Sequence, residues 1–234
     1  MTATEFIETL ALLKDQKELN KADQFFKGND GVTKSFGVKF GDVFTTASEF
    51  SEMPLAEINQ LLDSDFYEVR MGAVSIMDFQ ARSKKTSEDQ KKALFDLYLN
   101  RHDRLNNWDF VDRAARSVIG EYLLDKPRDI LYWLSYSGSP WEKRTAIVST
   151  HAFIRKNEVE DTFAIAEILV HDQNEFVNKA VGSWIREAGK KDIKKLHHFL
   201  STYVKTMPAF TFSYASEKLD PELKLYYKEL RKSK

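Results

Sequence analysis

The chain has no cysteine in its 234 residues. That excludes disulfides and thiolate metal sites, and it suits a protein of the reducing cytoplasm. Glycine and proline are scarce, nine and five, while Ala, Leu, Lys and Glu are plentiful, a balance that favours helix. No apolar run approaches the roughly 18 residues of a membrane span. The opening Met1-Thr2-Ala3-Thr4-Glu5-Phe6-Ile7-Glu8 is amphipathic and acidic, without a signal-peptide pattern. Positive charge is not in excess either. The net charge is −1, whereas duplex DNA binders usually carry a marked surplus. The balance is uneven, −5 over residues 1–100 and +4 over residues 101–234. A polyanion would find its better partner in the C-terminal half, although a solvated helical surface explains the excess equally well.

What is present is helical periodicity. Phe6, Leu10 and Leu13 form one stripe over Thr4 to about Lys17, and Glu18 to Phe26 reads as a second helix. The glycine-rich stretch from Gly28 to Gly41 is expected to be a loop. It fails the phosphate-loop pattern because Thr33 stands where the second glycine is required. Pro54 fits a first helical position before Leu55, Ile58, Leu61 and Leu62, and Tyr67 to Ser83 reads as a long helix. Ser87-Glu88-Asp89-Gln90 is a capping box, with looser versions at Ser139-Pro140-Trp141-Glu142 and Asp172-Gln173-Asn174-Glu175. Asp220-Pro221 opens a last helix. No stretch reads as a convincing strand.

Four helix starts share a pattern that reaches Ala73, Ala115, Ala146 and Ala180, at spacings of 42, 31 and 34 residues. These are helical-hairpin lengths, close to HEAT and armadillo repeats. The expected architecture is therefore all-α: one helical-repeat solenoid over residues 1–234, with the second helix of each pair lining a concave inner face. The alternative is a compact bundle.

The most informative stretch is Asn106-Asn107-Trp108-Asp109-Phe110-Val111-Asp112. Trp108 and Asp112 stand four residues apart, on one face of a helix that the Asn pair opens. An aromatic plate beside a carboxylate can hold a sugar or a cation. The plainer reading is a helix start with a surface Trp and a solvated Asp. Lys143, Arg144 and Asn178 come from equivalent helix starts and would converge with them on one ligand. Among other candidates, adjacent His197 and His198 diverge by about 100° on a helix, so they cannot share a metal. His102, His151 and His171 complete no ligand motif. Ser149-Thr150-His151 is contiguous, unlike a triad assembled in space. Tyr132, Trp133 and Tyr136 are helix-spaced aromatics, more often core than a base-stacking platform.

With these residues in view, the chain resembles the AlkD-type DNA alkylation-repair glycosylases, a HEAT-like repeat family, from about Phe25 to Tyr227. The segments carrying the resemblance include Phe25-Phe26-Lys27-Gly28, Tyr67-Glu68-Val69-Arg70, Asn106 to Asp112, Gly120-Glu121-Tyr122-Leu123-Leu124, Trp141 to Thr150, Lys179-Ala180-Val181-Gly182 and Thr206-Met207-Pro208. The resemblance implies removal of N3- or N7-alkylated purines from double-stranded DNA by a monomeric, metal-free, cofactor-free N-glycosylase. Such enzymes grip backbone and deoxyribose rather than flip the base into a pocket, unlike most glycosylases. Asp112 would be the catalytic carboxylate, Trp108 an aromatic wall, and Arg144 a phosphate holder, with Lys143, Asn178 and Lys179 also facing DNA.

The sequence also departs from that family. Ser183 takes the place of a second aromatic wall. Trp184 is displaced by one residue, which turns it by roughly 100°, toward a helix–helix interface. Ala209 and Ser213 occupy positions where phosphate-gripping arginines are usual, and Phe40-Gly41 replaces the usual Val-Pro continuation. Three readings follow: an alkylpurine glycosylase, a catalytically silent relative that binds DNA, and a protein-interaction scaffold.

Overall fold

The computed structural model describes residues 1–20, 26 and 31–233, and among them helices are the only regular elements apart from an isolated bridge between Lys34 and Phe66. The backbone divides into two compact units, Met1–Tyr122 and Leu123–Lys234.

The first unit contains α1 (Ala3–Ala11), α2 (Gln16–Leu19), α3 (Phe40–Glu49), α4 (Leu55–Leu62), α5 (Tyr67–Arg82), α6 (Glu88–Asn100) and α7 (Trp108–Ala114). The α7 helix continues as a π-helical segment, Ala115–Gly120. A Thr2/Glu5 capping box starts α1 and buries Phe6 and Leu10. The expected run to Lys17 does not occur. Leu13 is exposed, because Asp15 opens α2 by accepting from Lys17 N at 2.8 Å, and its own N–H donates to Gly37 O at 2.8 Å. Of the expected Glu18–Phe26 helix, α2 ends at Leu19, and residues 21–25 lie outside the described residues. Residues 31–39 are non-helical as expected, but Phe40 and Gly41 form the first turn of α3. Pro54 is the residue before α4 rather than its first helical residue. Both arms of the Ser87/Gln90 box are present.

The α5 helix is the core of this unit and buries charged side chains as well as apolar ones. Glu68 and Asp78 are held by hydrogen bonds and ion pairs, as burial requires. Glu68 accepts from the backbone N–H groups of Phe36, Gly37 and Val38 at 3.0, 2.9 and 3.3 Å, and from the Ser35 hydroxyl. The loop can curl around that carboxylate because Gly37 has φ 74°, a left-handed conformation open to glycine. Asp78 pairs with Arg82 at 2.7 Å and Arg113 at 3.3 Å, and accepts from Ser117 Oγ at 2.6 Å.

The second unit contains α8 (Asp129–Ser135), α9 (Pro140–Ser149), α10 (His151–Ile154), α11 (Glu160–Leu169), α12 (Glu175–Gly189), α13 (Ile193–Tyr203), α14 (Ala209–Ala215) and α15 (Pro221–Lys232). Helix α12 lies closest to α14, where a Cβ on Gly182 would stand 2.6 Å from Thr211 O. Ser139 caps α9 through Glu142 N at 3.5 Å, but Glu142 turns to the Ser137 hydroxyl instead of closing the box. Asn174, not Asp172, caps α12, accepting from Phe176 and Val177 N. Asp172 instead orients that cap by accepting from Asn174 N at 2.8 Å. Asp220 and Pro221 start α15 as expected. Tyr227 docks that helix through its hydroxyl, 2.8 Å from His197 Nδ1.

Candidate functional site

The start of α7 is held from below. Asn107 is its N-cap residue but makes no capping bond with its side chain. Instead Asn107 Nδ2 donates to Tyr67 OH at 3.3 Å and to Asp109 Oδ1 at 2.7 Å. The Tyr67 hydroxyl donates to the same carboxylate, and Phe110 N donates to Asp109 Oδ1 at 2.9 Å. The Tyr67 ring sits 5.0 Å from Phe110 and 5.7 Å from Phe40. Asp109 is thus fixed within the protein. Asp112, on the next turn, is exposed, and Trp108 is half-buried. Trp108 and Asp112 stand four residues apart, one turn of the helix, above this anchor.

Arg113 backs this face. Its Nε donates to Ser75 Oγ at 3.0 Å, and its guanidinium lies over Phe44 and Phe79 at 4.7 and 4.9 Å. Burial pushes its pKa down and Asp78 opposes the shift, while a guanidinium keeps its charge under any such shift. The helix then widens into the π-helical turns, with Glu121 N donating to Arg116 O at 2.8 Å. Such segments recur at functional sites. No residue pattern in the sequence marked this one.

The remaining expected site residues lie in the second unit. Arg144 is only 8% exposed and its Nη1 donates to Phe176 O at 2.5 Å, tying α9 to α12. Lys143 Nζ pairs with Asp172 at 2.6 Å, and Lys179 Nζ with Glu175 at 2.8 Å. Asn178 is buried, with Oδ1 lacking a hydrogen-bond partner and its backbone carbonyl accepting from Thr211 Oγ1 at 3.4 Å. Asn178 and Lys179 share the first turns of α12; Lys143 and Arg144 share those of α9.

Ser183 and Trp184 follow on α12, and Trp184 stacks on His151 of α10, ring centroids 4.7 Å apart. Ala209 and Ser213 are exposed on α14. Ser149 and Thr150 donate to the carbonyls of Thr145 and Ile147, both at 2.7 Å, so their hydroxyls serve their own helix. Among the described residues, no group of three or more His, Asp or Glu side chains gathers as a metal ion would need, and no helix is long and apolar enough to cross a membrane.

Two features went unread in the sequence. Trp133 and Tyr136, expected in the core, are 72% and 74% exposed. Their spacing gave a shared helix face but not which way that face points. Only Tyr132 of that trio turns inward. It donates to Asp161 at 2.6 Å, and burial followed by that carboxylate pushes its pKa well above the ordinary tyrosine value. The second feature is a row of aromatics at the starts of α9, α12 and α14. Trp141 and Phe176 are 5.6 Å apart, and Lys179 Nζ lies 5.2 Å from the Phe176 ring and 4.8 Å from Phe210.

A family model described as DNA alkylation repair enzyme matches residues 6–219. The chain belongs to this family. A solved structure described as a predicted DNA alkylation repair enzyme from Enterococcus faecalis shares the fold, with a TM-score of 0.69 over 89% of this chain and 97% of that one. At 14% identity, that likeness speaks for the architecture alone. No curated protein matches the chain. Asp112 and Trp108 therefore stand in a DNA alkylation repair family member of all-helical fold.

Proposed function

We propose that the protein is a DNA N-glycosylase that removes N3- or N7-alkylated purines. The observation that carries this is the pairing of an exposed Asp112 with a half-buried Trp108 on a helix start that Tyr67, Asn107 and Asp109 hold rigid. The alkylated base already carries positive charge, which makes it a good leaving group. The C1′–N bond breaks with its electron pair going to the base, which departs neutral. The sugar is left as an oxocarbenium-like cation. Asp112 stabilises that charge electrostatically and the Trp108 face cradles it. Water then adds at C1′ and loses a proton, so one water is consumed and one proton released for each base freed. No metal or cofactor enters this scheme. In the second unit Arg144, Lys143, Asn178 and Lys179 are the proposed DNA contacts, with Lys143 reaching phosphate by exchanging Asp172 for it.

The deciding experiment is release of 7-methylguanine from methylated duplex DNA. Wild type should release it, and Asp112→Asn should be slower by about 100-fold or more, the usual cost of losing one preorganised electrostatic group. Equal rates in the two proteins, or no release by either, would overturn the assignment.

A second reading, a relative that binds DNA without cutting the glycosidic bond, draws on a different observation. Ser183 supplies no aromatic wall, Trp184 is occupied with His151, and Arg144, Lys143 and Lys179 are held by protein groups. Binding of alkylated duplex without base release is its signature.

A further inference from the structure

The aromatic row of the second unit belongs to none of the roles assigned so far. Trp141, Phe176 and Phe210 are each the second residue of their helix, α9, α12 and α14. The recurrence follows the repeat: 35 residues separate the first two and 34 the last two. A helix that needs only a buried stripe has no use for a ring at this exposed position. The core of these helix starts is already supplied by Val177 and Phe212, both buried. Phe210 is 46% exposed, and Trp141 and Phe176 are half-buried, so all three keep part of a face or edge in solvent.

The surrounding charges narrow the ligand. Lys143 and Lys179 are matched by Asp172 and Glu175, Arg144 is committed to Phe176 O, and α14 presents Ala209, Phe210 and Ser213 with no cation among them. A phosphate clamp running along all three helix starts would need a cation on α14 as well. What the helix starts offer instead is flat π surface with one ammonium over two rings, a combination suited to nucleobases, which stack on aromatics and accept a cation above or below. Asn178, two residues after Phe176 on α12, has its Oδ1 buried without a partner.

We propose that Trp141, Phe176 and Phe210, with Lys179 over the last two rings, form a stacking platform for unpaired nucleobases of DNA. The proposal rests on the reading that this chain acts on DNA, and it adds a preference: strands whose bases are exposed, as in a gap or a locally opened duplex, over intact duplex. It does not require the glycosidic chemistry.

The test measures fluorescence anisotropy of a labelled single-stranded oligonucleotide and of the same sequence as duplex, for wild type, Phe210→Ala, Phe210→Trp and Lys179→Gln. Phe210 is exposed, so its replacement leaves the fold intact. The single strand should bind more tightly than the duplex. Phe210→Ala should weaken it about tenfold, the contribution of one base on one ring, and Phe210→Trp should restore it. The slope of log Kd against log salt should stay nearly unchanged in the Phe210 variants, because no phosphate contact is lost. A duplex preference in wild type, or equal single-strand affinity of wild type and Phe210→Ala, would overturn the platform. Release of 7-methylguanine is scored separately. Single-strand binding without release upholds the platform against the glycosylase assignment, and release with no effect of Phe210→Ala on binding does the reverse.

Discussion

Two buried arginines, one in each unit, stand in the first turns of equivalent helices. Arg70, at the start of α5, is fully buried. Its Nη1 donates to Asn106 Oδ1 at 2.8 Å and Arg104 O at 3.2 Å, its Nη2 to Thr33 Oγ1 at 2.5 Å, and its guanidinium lies over Phe26 and Phe110 at 5.9 and 5.3 Å. Arg144, at the start of α9, reaches the carbonyl of Phe176. Each arginine ties its own helix to the chain leading into, or starting, a later helix more than thirty residues on. The comparison shows how a repeat fold uses guanidinium. Where successive helix starts leave backbone carbonyls facing inward, an arginine satisfies them from the neighbouring repeat. The same residue type at the same place then serves packing first, and any ligand contact is added to that.

The largest effect should come from breaking the more deeply buried strut. Arg70→Ala removes the donor to the Thr33 hydroxyl, the Asn106 amide oxygen and the Arg104 carbonyl and opens space between two rings, at a cost of about 3 kcal/mol or more in urea unfolding. Arg144→Ala removes the bond to Phe176 O from a shallower site and should cost about 1–2 kcal/mol. Equal losses would mean that the two positions are more alike than their burial indicates.

Close helix approach gives the next contrast. Gly72 on α5 faces the Phe6 ring, whereas Gly182 on α12 faces backbone of α14. A ring can shift by small rotations, but a carbonyl moves only with its helix. Gly182→Ala should therefore destabilise by about 2–3 kcal/mol and Gly72→Ala by less, within the usual cost of overpacking. Differential scanning calorimetry of both variants orders them, and the reverse order would place the rigid neighbour in the first unit.

Within α7 the contrast is between two aspartates. Asp109→Ala removes the acceptor for Asn107, Tyr67 and Phe110 N and should cost about 1–2 kcal/mol. Asp112→Ala, on the solvent side, should leave the unfolding midpoint within about 0.5 kcal/mol of wild type while base release fails. A large stability loss at Asp112 would make that carboxylate structural.

Much of this was legible in the sequence, for a physical reason. Helix type and most starts follow from local chemistry: the Ser87 box, the Asp220-Pro221 start and the 3.6-residue stripes depend on neighbours within one turn. The misplaced features depend on distant partners. The end of α1 is set by Asp15 bonding to Gly37, and Asp172 is drawn from the cap of α12 by Lys143, 29 residues away. The burial of Glu68 and Arg70 required loops more than thirty residues away. Trp133 and Tyr136 shared a helix face that periodicity detected but could not orient. At the candidate site, the Trp108–Asp112 spacing was readable because it is one helical turn. The Tyr67–Asn107–Asp109 anchor beneath it spans two helices and was not.

The smallest effects separate phosphate gripping from stacking. The Lys143–Asp172 pair is the more buried, with side chains 23% and 11% exposed, while Lys179–Glu175 is 28% and 48% exposed. Partly exposed pairs contribute little, so Lys143→Gln should cost under about 1 kcal/mol and Lys179→Gln under about 0.5 kcal/mol. Their value lies in the salt dependence of DNA affinity. A lysine that exchanges its carboxylate for a phosphate releases a counterion, and its loss should lower the slope of log K against log salt by about one. A lysine that serves only the rings changes affinity without changing slope. The slope should fall for Lys143→Gln on duplex and hold for Lys179→Gln on single strand. If both slopes fall, the second unit grips backbone at both helix starts, and the aromatic row is packing.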